Sequence, residues 1–290
     1  MIAVDWGTSS FRAFRMRGST VIDRHEAPNG ILHVEPGGFE AALRQAVAPW
    51  LHAGETRILM AGMVGSRQGW REAPYVTCPA GADDLAQALV AVPFAGAAVR
   101  IVPGVRSMDA GGVPEVMRGE EAQLAGVLAE IGPDATACLP GSHSKWATIR
   151  NGRIAGFATH MTGEAFAALR DHTILGRMMQ DGPASTEAFR RGVARAGQAG
   201  GLLHHLFGVR TQGLSAQLPQ GEAASYLSGL LIGHEVAAEA PAGPVHLIGA
   251  PALCRLYALA IAEHGATAAI AGPDAAAYGL ALIAEHAAWT

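Results

Sequence analysis

The sequence holds almost no lysine: of 21 basic residues only Lys145 is one, and the rest are arginine. It has no basic run and a net charge of −4, which argues against nucleic acid as the main partner. Cysteine is equally scarce, with Cys78, Cys138 and Cys254 far apart and no CxxC pair. That spacing excludes a disulfide framework or a zinc site and is expected of reduced thiols in a cytoplasmic protein. No apolar run reaches the ~20 residues of a membrane span, and no signal-peptide pattern precedes the first strand-like segment. Neither a GxxxxGK[ST] loop nor a GxGxxG loop occurs, and His234-Glu235 lacks the second histidine of a zinc-type HExxH motif. Short internal repeats and low-complexity linkers are also missing. Half of the 290 residues are apolar and only 16% are charged, enough for one large or two medium domains. The expectation is a soluble globular protein with neither a nucleic-acid nor a membrane partner.

What is there is organised around residues 1–16. Ile2, Ala3 and Val4 read as a buried strand, Gly7 to Ser10 as a tight turn, and residues 11–16 as the returning strand. Asp5 closes the first strand, and Gly7, Thr8 and Ser9 give a tip of small residues. Successive backbone amides in such a turn can wrap an anion, and a carboxylate beside it can hold a magnesium ion. An ordinary polar hairpin turn is the competing reading.

Further on, residues 20–24 suggest a strand, 39–53 an amphipathic helix and 56–60 a strand. That strand feeds Ala61-Gly62-Met63-Val64-Gly65-Ser66, followed by Arg67, Gln68, Gly69 and Trp70. Arginine suits a carboxylate and tryptophan a sugar face, although core packing is the commoner fate of a tryptophan. Residues 98–102 read as another strand. Met117-Arg118-Gly119-Glu120-Glu121 opens a helix to about residue 130. Its acidic first turn suits either simple dipole capping or a general base, with Arg118 placed to hold an anion. Residues 135–139, then Pro140-Gly141-Ser142-His143-Ser144-Lys145, then residues 146–150 repeat the opening pattern of strand, small polar turn and strand. Helical segments are expected at 162–176, 185–207 and 222–240. A strand at 245–248 ends in Gly249-Ala250-Pro251 before a further helix, a place where a nucleotide can dock. A last strand at 267–270 and a helix after Asp274 complete an α/β pattern.

Together these segments resemble the sugar kinase, heat-shock and actin superfamily, and more closely the 2-dehydro-3-deoxygalactonokinases. The resemblance rests on Asp5-Trp6-Gly7-Thr8-Ser9, Ala61 to Ser66 with Gly69-Trp70, and Met117 to Glu121. It continues in Pro140 to Trp146, Met161-Thr162-Gly163-Glu164 and Leu227 to Gly233. It implies an α/β fold of two actin-like ATPase (ribonuclease H-like) lobes with a nucleotide cleft between them, here drawn as residues 1–132 and 133–290. It implies ATP and Mg2+, with transfer of the γ-phosphoryl group to the 6-hydroxyl of 2-dehydro-3-deoxy-D-galactonate in galactonate breakdown. By the same resemblance Asp5, Gly7, Thr8 and Ser9 form the first phosphate motif, with Asp5 near the metal, and Gly141, Ser142, His143 and Ser144 form the second. Gly249 and Ala250 match the adenosine-side turn without the superfamily's doubled glycine. Glu120 stands where related kinases carry an aspartate base, with Glu121 as its rival. Ser66, Arg67, Trp70, Arg118 and Lys145 are the candidate substrate contacts. The alternatives are a kinase for the epimeric 2-dehydro-3-deoxy-D-gluconate or another sugar acid, or a non-catalytic nucleotide-binding sugar sensor. Oligomeric state is not legible.

Overall fold

Fourteen strands and nine α-helices form among residues 1–289, the part described by the structure, a computed structural model. In chain order, β1 (Ile2–Trp6), β2 (Phe11–Arg17) and β3 (Thr20–Ala27) lead into α1 (Phe39–His52) and β4 (Arg57–Ala61). Next come β5 (Tyr75–Thr77), α2 (Ala82–Gln87), β6 (Val90–Val92), β7 (Ala98–Ile101), β8 (Gly104–Met108), β9 (Pro114–Met117) and α3 (Glu120–Ile131). A second run of strands follows, β10 (Ala135–Leu139), β11 (Ser144–Arg150) and β12 (Arg153–His160). The helices α4 (Thr162–His172), α5 (Thr186–Ala196), α6 (Gly201–Leu214) and α7 (Ala223–Glu239) come after it. The chain then forms β13 (Val245–Leu247), α8 (Pro251–Glu263), β14 (Ala268–Ile270) and α9 (Ala275–Glu285).

One sheet has the order β3-β2-β1-β4-β7-β6, and another the order β12-β11-β10-β13-β14. The same plan occurs twice: an antiparallel hairpin with a third strand outside it, and parallel strands added on the other side of the first. The repeat of strand, small polar turn and strand seen in the sequence is thus a repeat of topology. Chain contacts define two compact units, one of residues 1–135, 147–158 and 272–290, the other of residues 136–146 and 159–271.

In the first unit the pattern of side chains dictates the layers. Ile2, Val4 and Trp6 of β1 and Ile58 and Met60 of β4 share one face by the two-residue period of a strand. That face packs on Phe39, Leu43, Val47 and Trp50, the stripe of α1 that recurs every three or four residues. α9 covers β1 and β4 from elsewhere in the unit and packs along α3. The closest α3–α9 approach uses glycines, since a methyl on Gly279 would lie 1.7 Å from the Ala122 carbonyl oxygen.

One expectation fails and one feature was not foreseen. The helix expected over residues 185–207 is broken into α5 and α6, because Gly200 and Gly201 take left-handed φ angles of +128° and +71°. The small sheet β5-β8-β9 had no clear sequence signal, being made of strands of three to five residues with mixed exposure.

Candidate active site

In the first unit, β1 and β4 run parallel with Asp5 opposite Ala61, so both strands deliver their carboxyl ends to one edge. Ligands of open α/β sheets sit at that edge. Asp5 is buried, and its Oδ2 accepts from Nη2 of Arg12, its partner across the β1–β2 ladder. The turn beyond is closed by Gly7 N donating to the Ser10 carbonyl at 2.9 Å, and Thr8, Ser9 and Ser10 are exposed. Residues 29–32 brace it from behind. Ile31 N donates to the Gly7 carbonyl at 3.0 Å, and Trp6 Nε1 donates to the Asn29 carbonyl at 3.0 Å. Gly30 is pressed so close that a methyl there would lie 2.2 Å from the Thr8 carbonyl oxygen. Sequence reasoning missed this brace, although Pro28-Asn29-Gly30 carries a turn signal.

Gly62, immediately after β4, has φ +96°, and a methyl there would lie 2.7 Å from the Trp6 carbonyl and 3.3 Å from Asp5 Oδ1. Gly119, at φ +111°, would place a methyl 3.1 Å from Gly62 Cα. These two close approaches bring the start of α3 to the edge where Asp5 lies. Glu120, the first residue of α3, is half-buried, and its Oε2 accepts from Arg118 N at 3.0 Å. Glu121 is fully buried, and its Oε2 accepts from Gly119 N at 2.6 Å. Burial, and secondarily the Glu120 charge, push the Glu121 carboxyl up to about 8. Arg118 Nη2 donates to the Ala73 carbonyl at 2.7 Å, while its guanidinium lies 4.4 Å from the centre of the Tyr75 ring. Its Nη1 and the hydroxyl of Ser66 are buried polar atoms without a hydrogen-bond partner among the described residues. Both adjoin Gly65, whose Cβ, if present, would be 3.0 Å from Arg118 Nη1. Arg67 and Trp70 take other positions. Arg67 is exposed and pairs with Glu72 at 3.0 Å, and Trp70 stacks on Phe39 with ring centres 6.3 Å apart.

In the second unit β10 and β13 are parallel, and the turns after them meet, with Gly249 (φ +145°) against the Pro140 carbonyl. Proline at the first position of α8 follows Ala250. Ser142 and His143 are exposed and Gly141 is partly so, with open space where a Gly141 side chain would stand. The start of α4 rests on this turn, because Glu164 N donates to the Ser142 carbonyl at 3.0 Å. His143 pairs with Glu164.

Ser144 and Lys145 turn inward. The Ser144 hydroxyl is fully buried 2.7 Å from Tyr257 Oη, whose own proton goes to Glu235 Oε2 at 2.7 Å, leaving Ser144 as the donor. Trp146 Nε1 donates to the other oxygen of Glu235 at 2.7 Å. Burial, then the Glu235 charge, keep the Tyr257 phenol protonated far above its ordinary range. Lys145, on the opposite face of β11, is buried with Nζ donating to Thr159 Oγ1 at 3.0 Å. The chain Ser144–Tyr257–Glu235–Trp146 was not foreseen, since its members are up to 113 residues apart.

A repeated sheet plan, with a small polar turn after the first strand of each copy, is the plan of the actin-like (ribonuclease H-like) fold. A crystal structure from Porphyromonas gingivalis described as an N-acetylglucosamine kinase shares the fold, with a TM-score of 0.51 at 15% identity over 99% of this chain and 98% of that one. The chain belongs to the 2-keto-3-deoxy-galactonokinase family, whose sequence model matches residues 5–283. A Rhizobium meliloti protein named as a probable 2-dehydro-3-deoxygalactonokinase is 36% identical, covering 99% of this chain and 97% of its own. The Escherichia coli 2-dehydro-3-deoxygalactonokinase is 32% identical, over 99% and 98% of the two chains. A crystal structure from Sinorhizobium meliloti, described as a protein of the same kind, has a TM-score of 0.89 at 35% identity and covers 98% of each chain.

Proposed function

We propose that this chain transfers the γ-phosphoryl group of ATP to the 6-hydroxyl of 2-dehydro-3-deoxy-D-galactonate. The observation that carries the reading is the convergence of Asp5, Gly62, Gly119 and Glu120 at one strand edge, beside the two unpartnered donors of Ser66 and Arg118. A buried, unpartnered guanidinium nitrogen and hydroxyl are costly unless a ligand satisfies them, and a carboxylate does so best. A sugar acid brings that carboxylate.

Glu120 is the base of this reading. It takes the proton of the attacking hydroxyl as the oxygen–phosphorus bond forms and the bond to the ADP oxygen breaks. Glu121 is too deeply buried to serve. Residues 7–9 and, in the other unit, residues 141–143 are each a turn of the kind that takes a phosphate, the second reinforced by the positive end of α4. Among the described residues no three or more His, Cys, Asp and Glu side chains form a cage. Magnesium needs none, being held by one or two carboxylates together with phosphates and water. Asp5 would supply that carboxylate, and the ion, once bound, would neutralise charge on the β and γ oxygens. Ser144 and Lys145 would act from behind the turn, through backbone and packing. Among the described residues no helix is long and apolar enough to cross a membrane.

A coupled ADP-release assay with ATP and magnesium tests the reading against 2-dehydro-3-deoxy-D-galactonate, its gluconate epimer and neutral hexoses. Turnover is expected with the galactonate compound and not with hexoses, and E120Q should lower kcat at least about 100-fold with little change in KM for ATP. Equal turnover of hexoses would sink the sugar-acid assignment, and an active E120Q would sink the base.

A further inference from the structure

Glu121 is a buried carboxyl that the proposed chemistry leaves unused. It sits one residue inside α3 with no exposed surface. One oxygen accepts from Gly119 N at 2.6 Å, and the other has no hydrogen-bond partner among the described residues. Against it lies a cavity of about 10 Å³, the size of one water molecule, walled by Leu85, Leu124, Leu128 and Ile154. Among the described residues no cation forms a salt bridge with it. Gly119, the residue it grips, stands at φ +111° against Gly62, which in turn lies against Asp5.

We propose that Glu121 is the positioning residue of the Gly119 turn, fixing the Gly119 amide and with it the Gly119–Gly62 contact that holds Glu120 at the Asp5 edge. This rests on the reading of Glu120 given above. A left-handed glycine pressed on another glycine has little to hold it except its own backbone bonds, so the carboxyl that takes its N–H sets where the next residue begins. Burial favours the neutral carboxyl, whose carbonyl oxygen still accepts the amide, more weakly than a carboxylate would, without placing a second bare anion beside Glu120.

The charges facing Glu121 are few. On its own segment Glu120 raises its affinity for a proton and Arg118 lowers it. Asp83 and Asp84 of α2 pair with Arg153 of β12, and His160 at the far end of β12 pairs with Glu239. α9 meets α3 through Ala275 and Gly279, while its Tyr278 and Glu285 are exposed. Raising the pH past about 8 therefore ionises Glu121 next to Glu120, and their repulsion pushes Glu120 from the Asp5 edge although the bond to the Gly119 amide strengthens.

The test pairs E121Q, which keeps an acceptor oxygen but cannot ionise, with E121L, which cannot accept. E121L should lose about 100-fold in kcat with KM for ATP within about twofold, the size expected when a reacting group is displaced by about 1 Å. E121Q should lose less than about tenfold in kcat and lack the decline above pH 8 expected of the unaltered protein. The second readout needs no acceptor substrate: the Gly119 amide resonance should titrate near pH 8 in the unaltered protein and stay flat in E121Q. A Gly119 amide that is flat in both, or that titrates alike in both, overturns the proposal, as does an E121L enzyme with unaltered kcat. If E120Q proves active while the amide titration holds, the base is misassigned and the grip of Glu121 on Gly119 stands.

Discussion

Between pH 4.5 and about 8 the folded and unfolded chains differ by one proton at Glu121, which ionises near 4.5 when free and near 8 in its buried site. The folded state binds the extra proton, so the stability due to this group is fully present below pH 4.5 and drains away as the pH rises to about 8. E121Q does not titrate. Thermal unfolding of the two proteins should give a Tm difference in favour of E121Q that widens by several degrees from pH 5 to pH 8 and is level beyond pH 9. A difference independent of pH would mean that Glu121 is ionised in the native state. At this scale the sequence was partly legible. Glu120 and Glu121 stood out as acidic residues at a helix start, but which is sealed inside depends on the 100° rotation between neighbours and on what α2 and β12 lay over them. Ser144 shows the same limit. The two-residue period pairs it with Trp146, yet says nothing of Tyr257, which turns its hydroxyl away from the exposed part of the turn.

Secondary-structure elements meet where glycine lets backbones touch. α3 and α9 cross at Gly126 and Gly279, where methyl groups would lie 1.8 Å from the Ala275 carbonyl oxygen and 1.7 Å from that of Ala122. α5 and α7 cross likewise at Gly192 and Gly229. G279A should cost about 3 kcal/mol of stability, read from urea unfolding, because α9 cannot yield without moving on the sheet it covers. A cost under about 0.5 kcal/mol would show that the helices slide freely. β1 and β4 were readable as apolar runs buried on both faces, and α1 and α3 because each carries a helical period matched to a buried face. The sheet β5-β8-β9 was not, because strands of three to five residues show too few alternations to register. The break between α5 and α6 was written in Gly200-Gly201 and was overridden by the helical pattern on either side.

For the whole molecule, the repeated order β3-β2-β1-β4-β7 and β12-β11-β10-β13-β14 explains why two small polar turns recur about 135 residues apart. In each copy the turn leaves the strand that also pairs with the next parallel strand, so the open edge of the sheet and the turn coincide. The single boundary drawn from sequence at residues 132/133 differs from the compact units, in which residues 147–158 and 272–290 count with the first. For residues 272–290 the reason is α9, whose contacts are with α3 and β1 although it lies late in the chain. Phosphorus NMR of the reaction mixture reads the phosphorylation of the terminal hydroxyl of the sugar acid without an intermediary. With ATP, magnesium and 2-dehydro-3-deoxy-D-galactonate, a phosphomonoester signal should grow in step with ADP and be split by the two protons of a CH2 group. Inorganic phosphate as the only new signal beside ADP, or no ADP at all, would mean that the chain does not phosphorylate this sugar acid.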